Sequence, residues 1–241
     1  MPRRASGLRR WLLRLALLAG VAVVAWGAWE AWHWPDVGAL ARRNPSSTAF
    51  IDRYRAQARA AGRDGRVAWT WVPYGTISSH LKRAVLVAED IRFFSHNGFE
   101  PTEWRHAVER AIEHQEMPRG ASTITQQLAK NLWLSPSRNP LRKAKEAVLT
   151  WQLERTLPKR RILELYLNVA EFGPGVYGAE AASRRYFGVS AAELGENQAA
   201  QMAASLPMPS RWHPGAPGPA YKRYVETIRR RMAKAELRVS N

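Results

Sequence analysis

The chain has 241 residues, of which 46% are hydrophobic, enough for one sizeable domain with a tail or for two small domains. Lysine and arginine total 37 against 20 acidic residues, so the formal net charge of +17 predicts an anionic partner: nucleic acid, anionic lipid or a phosphorylated substrate. The absence of cysteine excludes disulfide bonds and thiolate metal sites.

Residues 11–32 are predicted to form a transmembrane helix. The stretch 11–29 is apolar except for Arg14, and as a helix it would be about 28 Å long, close to the hydrocarbon thickness of a bilayer. Tryptophans suited to the far interface follow at Trp26, Trp29, Trp32 and Trp34. A cleaved signal peptide and a buried core helix are the alternatives. The run is long for a signal peptide, however, and no convincing cleavage site follows it.

The charges around this apolar run predict its orientation. Basic residues precede it and acidic residues follow it: Arg3, Arg4, Arg9 and Arg10 on one side, Glu30 and Asp36 on the other. By the positive-inside rule, residues 1–10 form a cytoplasmic basic tail, and the chain beyond the helix lies on the outer side of the membrane.

The next segment, 33–76, carries several prolines and glycines and is predicted to be a juxtamembrane connector with a short helix near residues 50–61. From Ser78 onward the apolar residues follow helical spacing, and no sustained alternation of period two is visible. Residues 77–241 are therefore predicted to form an all-α, predominantly helical domain with little sheet.

Three local signals refine this prediction. Asn139 followed by Pro140 is typical of a helix start. The stretch FGPGVYG at 172–178 is predicted to be a glycine-rich loop. Ser190 with Glu193 has the spacing of a capping box, which predicts that a helix begins there.

The first candidate for chemistry is AEDIRFFSHNG at 88–98, which ends an apolar helix face with two carboxylates. If Glu89 lies where a buried helix meets a loop, burial raises its pKa and makes it a usable general base. Asp90 points in another direction and can orient the following turn, while Phe93 and Phe94 line the pocket. The alternative is an ordinary helix end with a solvated pair of acids, since most charged residues are exposed.

The second candidate is RGASTITQQLAKN at 119–131, in which Ser122 is expected to cap a helix. Hydroxyl and backbone N–H groups gathered at a helix start can bind a phosphate or another oxyanion. Gln126, Gln127 and Lys130 are then free to face a polar ligand. Simple helix capping explains the same residues equally well.

The third candidate is RKAKE, in which Arg142, Lys143 and Glu146 share one helix face because they are three and four residues apart. The group is either an exposed ion pair of little energetic value or a phosphate clamp in which the acid positions the cations or a metal.

Taken together, EDIRFFSHNG, GASTITQQLAKN, RKAKE and KRRILELYLN resemble, in this order, the signature motifs of the peptidoglycan glycosyltransferases, the family shared with the N-terminal halves of class A penicillin-binding proteins. The resemblance extends from about Trp71 to Pro214. The length and the single anchor, without a transpeptidase domain, resemble the monofunctional members. Ala121 departs from the pattern because the family usually has a glycine there.

This resemblance implies a lysozyme-like helical fold and an enzyme that polymerises lipid II, with inversion and with release of undecaprenyl diphosphate. Glu89 would be the base that deprotonates the acceptor 4-hydroxyl. Glu146 would be the second catalytic glutamate, near the leaving group. The implied substrate-binding residues are Asp90, Phe94, Ser122, Thr123, Gln126, Gln127, Lys130, Arg138, Arg142 and Lys143. The implied cofactor is a divalent cation, Mg²⁺ or Mn²⁺, that bridges the substrate diphosphate, with no metal site made by the protein alone.

The resemblance also implies the surroundings of the enzyme. Its catalytic domain would be periplasmic, anchored in the bacterial inner membrane, and the segment 101–120 would be mobile and approach the bilayer. Expected partners are lipid II, the growing glycan chain, the membrane and other cell-wall synthesis or division proteins. Nucleic acid is not expected, because the predicted orientation places the basic domain away from the chromosome. The rival functions are a lytic enzyme that cleaves glycan strands and a basic nucleic-acid-binding or scaffolding protein.

Overall fold

The computed structural model describes residues 3–100, 122–137, 139–216 and 218–235. Two units are formed, Met1–Asp36 and Val37–Asn241. The first contains helix α1, Arg3–Trp32, whose segment Trp11–Trp32 is long and apolar enough to cross a membrane and is exposed within the unit. Three features discussed above lie outside the described residues: Ala121, Arg138 and the segment 101–120.

The second unit is built mainly from helices, as the sequence predicts. In chain order they are α2 (Ala49–Ala60), α3 (Ser79–Glu89), α4 (Ile124–Trp133), α5 (Pro140–Thr156), α6 (Lys159–Val169), α7 (Ala179–Phe187), α8 (Glu196–Ser205) and α9 (Pro219–Lys234). The strands are β1 (Ala68–Trp69), β2 (Glu171–Gly173) and β3 (Val176–Tyr177).

Two groups of helices form the core around the site. In one group α3 packs against α8 and α9, and in the other α4 packs against α5 and α6. Leu81 and Val85 of α3 and Leu128 of α4 have no exposed surface, and burying each such side chain contributes about 2 kcal/mol. Because α3 is held along its apolar face, its last residue, Glu89, has a rigid support.

The ends of α5 agree with the sequence signals. The side chain of Asn139 accepts a hydrogen bond from the backbone N–H of Leu141 at 2.9 Å, and Pro140 occupies the first turn. The helix ends at Thr156, just before Pro158, whose ring cannot continue it.

The glycine-rich segment differs from the predicted loop. β2 and β3 pair as an antiparallel hairpin, and β1 lies parallel to β3, so the order in the sheet is β1-β3-β2. Gly175 and Gly178 have φ of 71° and 79°, which a glycine adopts easily and which allow the chain to turn sharply. Strands of two and three residues are too short to produce a visible alternation, so the sequence pattern does not reveal the sheet.

The predicted capping box at Ser190 is also a different structure. Glu193 accepts hydrogen bonds from the N–H and the hydroxyl of Ser190, at 2.8 and 2.6 Å, but these close a turn rather than start a helix. Helix α8 begins three residues later, with Gly195 as its N-cap. Glycine is unfavourable inside a helix, and this explains why the helix does not begin before it.

The compact unit starts earlier in the chain than the predicted connector allows. Val37, Leu40 and Ile51 are buried, and the guanidinium of Arg161 donates to the carbonyl of Leu40 at 2.9 Å. Residues 37–76 therefore pack with the helical unit, and the short helix predicted near 50–61 is α2.

Gly178→Ala is expected to destabilise the protein more than Gly188→Ala. Both glycines have positive φ, 79° and 73°, where a Cβ costs roughly 1–2 kcal/mol. At Gly178 the Cβ would also lie 2.7 Å from the carbonyl oxygen of Asn168, whereas at Gly188 it would meet no described atom within 4 Å. Chemical denaturation should show a further loss of at least about 1 kcal/mol for Gly178→Ala. Equal losses for the two variants would contradict the crowding argument.

Candidate active site

Glu89 lies at the end of α3, where its carboxylate meets α4. Its Oε2 accepts a hydrogen bond from Gln127 Nε2 at 2.8 Å, and its side chain is only partly exposed. Burial raises the pKa of Glu89 above its usual range, while the Gln127 hydrogen bond and the charge of Lys130 oppose this and Asp90 adds to it. A carboxylate with a raised pKa binds a proton more readily, and this is the property that a general base requires.

Lys130 lies on α4, where the charges of two carboxylates act on it. Burial lowers its pKa, Glu146 favours its charged form, Arg142 and Lys143 disfavour that form, and Glu89 favours it. Lys130 therefore lies within electrostatic reach of both Glu89 and Glu146. Three residues that the family resemblance implies, Glu89, Lys130 and Glu146, are thus linked electrostatically through Lys130.

Glu146 is buried, with 2% of its surface exposed, and both of its carboxylate oxygens face cations. Arg142 Nη1 donates to Oε2 and Lys143 Nζ donates to Oε1. Arg142 Nε also donates to the carbonyl of Ser137 at 2.6 Å. The predicted shared helix face is thus present. Glu146 is buried, so its ion pairs with Arg142 and Lys143 are not the weak, exposed pair that the sequence offered as the alternative to a phosphate clamp.

Asp90 is buried and directed away from Glu89. One of its oxygens, Oδ2, accepts a hydrogen bond from the backbone N–H of Ile124 at 3.0 Å, and His96 Nε2 lies 2.9 Å from Oδ1. His96 Nδ1 accepts from the N–H of Gly98 at 3.0 Å, which fixes the ring. Asp90 therefore orients the turn and joins it to α4, one of the roles the sequence allows.

The start of α4 corrects the predicted cap. Thr123, rather than Ser122, is the N-cap: its hydroxyl accepts from the N–H of Gln126 at 3.2 Å, and Gln126 Oε1 accepts from the N–H of Thr123 at 3.0 Å. Ser122 is exposed. The pattern T-x-x-Q at Thr123–Gln126 is itself a capping-box signal, so the sequence also carries the signal for the observed cap. In the structure Gln126 serves the cap, while Gln127 reaches Glu89.

Phe94 is the exposed member of the aromatic pair. Phe93 is fully buried, while 44% of Phe94 is exposed and its ring meets that of Phe93 edge-on, with 5.1 Å between the centroids. Of the two, only Phe94 is available to contact a ligand.

Two tyrosines near Glu89 were not among the predicted site residues. Tyr166, on α6, donates its hydroxyl to Gln127 Oε1 at 2.9 Å, and Tyr224, on α9, lies 3.5 Å from the carbonyl of Ala88. Both pKa values are raised, first by burial and then by the charge of Glu89. The sequence presents Tyr166 only as part of an apolar helix stripe, and no local signal reveals its polar contact.

The residues described in the structure do not include a group of three or more histidine, cysteine, aspartate or glutamate side chains suited to a metal ion. Glu146 already directs both oxygens at cations, so it offers no vacant oxygen pair to a resident ion. Among the residues that the structure describes, the donor set therefore does not fit a divalent ion held by side chains alone.

Comparison with known proteins agrees with this site. The family described as transglycosylase matches residues 57–233. A protein of Thiobacillus denitrificans named biosynthetic peptidoglycan transglycosylase is 50% identical over 190 residues, which cover 78% of this chain and 82% of that protein. A protein of the same name from an Azoarcus species is 48% identical over 233 residues, which cover 95% of this chain and 97% of that protein.

The helical fold thus carries a partly buried carboxylate with a raised pKa, Glu89, and a group of cations on α4 and α5, an arrangement compatible with an enzyme. The family match covers well over half of the chain, and the similarity to the two proteins extends over most of it. The chain belongs to the transglycosylase family, and it is a glycosyltransferase.

Glu146→Gln is expected to destabilise the protein by about 2–3 kcal/mol, because two cations lose their buried counter-charge, although water screens the half-exposed Lys143. Glu226→Gln is the matched control, since its pair with Arg229 at 3.1 Å is exposed and should contribute less than about 1 kcal/mol. Denaturant midpoints for both variants test this. Similar losses in the two variants would mean that the ion group on α5 behaves as an exposed pair.

Proposed function

We propose that this glycosyltransferase acts in peptidoglycan synthesis and polymerises lipid II into glycan strands, releasing undecaprenyl diphosphate. The observation that carries the proposal is the position of Lys130, which lies within electrostatic reach of both Glu89 and Glu146. A base and a cluster of cations near one cleft suit a reaction in which a hydroxyl attacks and a diphosphate leaves. The two relatives of this chain are named as peptidoglycan transglycosylases, which agrees with that chemistry.

Glu89 acts as the base. The hydroxyl at position 4 of the acceptor sugar is a weak nucleophile until its proton is removed, and a partly desolvated carboxylate can take that proton near neutral pH. The raised pKa of Glu89 supports this role. As the proton moves to Glu89, the hydroxyl oxygen forms a bond to C1 of the donor sugar from the face opposite the leaving group, so the configuration at C1 is inverted.

The cations stabilise the departure of the diphosphate. As the bond between C1 and the phosphate oxygen breaks, its electron pair passes to that oxygen and negative charge develops there. Cations that are already in place stabilise this charge in the transition state more than in the ground state, which lowers the barrier. Lys130, Arg142 and Lys143 are the cations near the cleft, and Glu146 holds the latter two in position.

The remaining substrate contacts follow from the same arrangement. Ser122, Gln127 and Phe94 are at least partly exposed and can contact the sugars. Thr123, Gln126 and Asp90 are buried and shape the site through the start of α4. Arg138, implied by the family resemblance, is proposed to bind diphosphate as well.

The membrane location belongs to the same proposal. The apolar helix Trp11–Trp32 can anchor the chain in the inner membrane, and the flanking charges favour a cytoplasmic N-terminus and a periplasmic catalytic domain. The lipid tail of the substrate lies in the same bilayer, so one membrane holds both enzyme and substrate. Association with other cell-wall synthesis or division proteins stays an expectation.

A divalent cation is proposed to reach the site with the substrate. Mg²⁺ and Mn²⁺ bind diphosphate oxygens well, whereas the described side chains do not provide a set of ligands for a resident ion. Its chemistry would be to neutralise part of the diphosphate charge.

Glu89→Gln is expected to abolish glycan synthesis without unfolding the protein, because the amide cannot accept the hydroxyl proton. Polymerisation of labelled lipid II, followed by gel electrophoresis, measures the loss, and circular dichroism checks the fold. Glu226→Gln, an exposed acid on α9, is the control and should retain normal synthesis. Normal turnover by Glu89→Gln would refute the base assignment.

The same gel assay separates the rival functions. A lytic enzyme would shorten glycan strands and would need no cluster of cations, because its leaving group is a sugar oxygen. A nucleic-acid-binding protein would bind DNA with an affinity that falls steeply with salt and would be indifferent to Glu89→Gln.

Chelation by EDTA is expected to leave the unfolding temperature of the substrate-free protein unchanged, because the described residues offer no group of side chains suited to hold an ion without the substrate. Polymerisation is expected to slow if the substrate carries the ion. Thermal unfolding and the lipid II assay, each with and without EDTA, measure the two effects. A lower unfolding temperature in EDTA would show that a resident ion stabilises the fold.

A further inference from the structure

Tyr166 has a polar contact that the proposed reaction does not use. It lies on α6 with 1% of its surface exposed, and its hydroxyl donates to Gln127 Oε1 at 2.9 Å. Gln127 Nε2 in turn donates to Glu89 Oε2 at 2.8 Å and to the carbonyl of Ser122 at 3.3 Å. A chain of hydrogen bonds therefore runs from a buried hydroxyl to the partly exposed carboxylate of Glu89.

The three contacts of Gln127 together fix the orientation of its amide. The Nε2 atom faces two acceptors, the carboxylate of Glu89 and the carbonyl of Ser122, whereas Oε1 faces a hydroxyl. Burial, followed by the charges of Glu89 and Asp90, raises the pKa of Tyr166 well above its usual value. The hydroxyl therefore keeps its proton and remains a donor across the working pH range. An amide whose polar atoms are all engaged has little freedom to rotate.

We propose that Tyr166 is a positioning residue for Glu89, acting through the side-chain amide of Gln127. The inference rests on the proposed role of Glu89 as the base. In this arrangement Gln127 holds Oε2 of Glu89 and directs the carboxylate into the cleft. The acceptor proton is then received at Oε1. Tyr166 does not touch the substrate, and its effect reaches the reaction only through the position of Gln127.

The surroundings of Glu89 determine the direction of the expected effect. The charged and titratable groups that act on it are Asp90 next to it, Lys130 on α4, Tyr166 on α6 and Tyr224 on α9. Burial and Asp90 favour the protonated carboxyl, while Gln127 and Lys130 favour the ionised form. Loosening Gln127 removes a stabilising donor from the ionised form, so the pKa of Glu89 should rise further.

The test compares the pH dependence of kcat/KM for lipid II in the full-length enzyme and in four variants: Tyr166→Phe, Gln127→Met, the double variant and Tyr221→Phe. The acid limb of the profile should move to higher pH by about one unit in Gln127→Met and by roughly half a unit in Tyr166→Phe. The double variant should match Gln127→Met alone, because the hydrogen bonds described here join Tyr166 to Glu89 only through Gln127 and the Tyr166 hydroxyl stays neutral across the pH range tested.

Tyr221→Phe is the matched control. Tyr221 is 2% exposed and donates its hydroxyl to the carbonyl of Gln201 at 2.8 Å. Losing this hydroxyl should lower stability about as much as the loss in Tyr166→Phe, without moving the pH profile. An acid limb that stays in place in Tyr166→Phe, as in Tyr221→Phe, would overturn the proposal. So would shifts that add in the double variant. If Tyr166→Phe fails to fold, the test passes to Gln127→Met, which keeps Tyr166. The acid limb of its kcat/KM profile must then move to higher pH, and an unmoved limb would overturn the proposal.

A second measurement separates this inference from the proposed function. In protein labelled with ¹³C at glutamate carboxyls, the Glu89 signal is the one missing from Glu89→Gln, and its titration gives the pKa without any turnover. A higher Glu89 pKa in Tyr166→Phe than in the wild type supports the positioning role. An unchanged value overturns it, even if Glu89→Gln is inactive and the base assignment stands. Conversely, glycan synthesis by Glu89→Gln would refute the role of Glu89 as base. The effect of Tyr166→Phe on the Glu89 pKa would still be measured by the titration.

Discussion

The buried carboxylate of Asp90 joins the two parts of the chain from which the site is built. It binds the first N–H of α4 and the ring of His96, in the turn that follows α3. The N–H groups in the first turn of a helix have no partner within the helix, so a carboxylate placed there is held by hydrogen bonds and by the helix dipole. This contact decides where Gln127 and Lys130 lie with respect to Glu89. The two adjacent acids therefore make different contacts: Glu89 accepts from the side chain of Gln127, whereas Asp90 joins the turn to α4.

A second constraint is the buried charge of Glu146, which has to be balanced by nearby cations when no substrate is bound. Arg142 and Lys143 would repel each other and Lys130 if Glu146 were absent. Because Glu146 binds Arg142 and Lys143, these cations are held in place without substrate, and in the proposed reaction little reorganisation would be needed when charge develops on the diphosphate. The pairing is also specific in geometry, since the donors lie three and four residues before the acid on one helix.

Much of this architecture could be predicted from local sequence, and the exceptions have physical reasons. The apolar stripes of α3, α4 and α6 and the cap at Asn139 depend on neighbours within a few residues, and these predictions are confirmed. The position of Glu89 at the end of a buried helix follows from the same periodicity. The prediction that Ser122 caps α4 was wrong. The neighbouring residue Thr123 also carries a hydroxyl, and the two give almost the same capping signal.

The features that escaped prediction depend on residues far apart in the chain. Tyr166 and Gln127 are 39 positions apart, and Asp90 and Ile124 are 34 apart, so no local pattern announces either contact. The small sheet pairs β1 with a strand about 100 residues later, and its strands are too short to show alternation. The packing of residues 37–76 onto the helical unit likewise depends on side chains such as Arg161 that follow much later.

The charges of Glu89 and Glu146 both act on Lys130, and this bears on the timing of the proposed reaction. Before the acceptor reacts, the ammonium is attracted by both acids. In the proposed reaction Glu89 becomes neutral when it takes up the acceptor proton, so one of these attractions would disappear as the departing diphosphate gains charge. The side chain of Lys130 would then couple deprotonation of the nucleophile to capture of the leaving group.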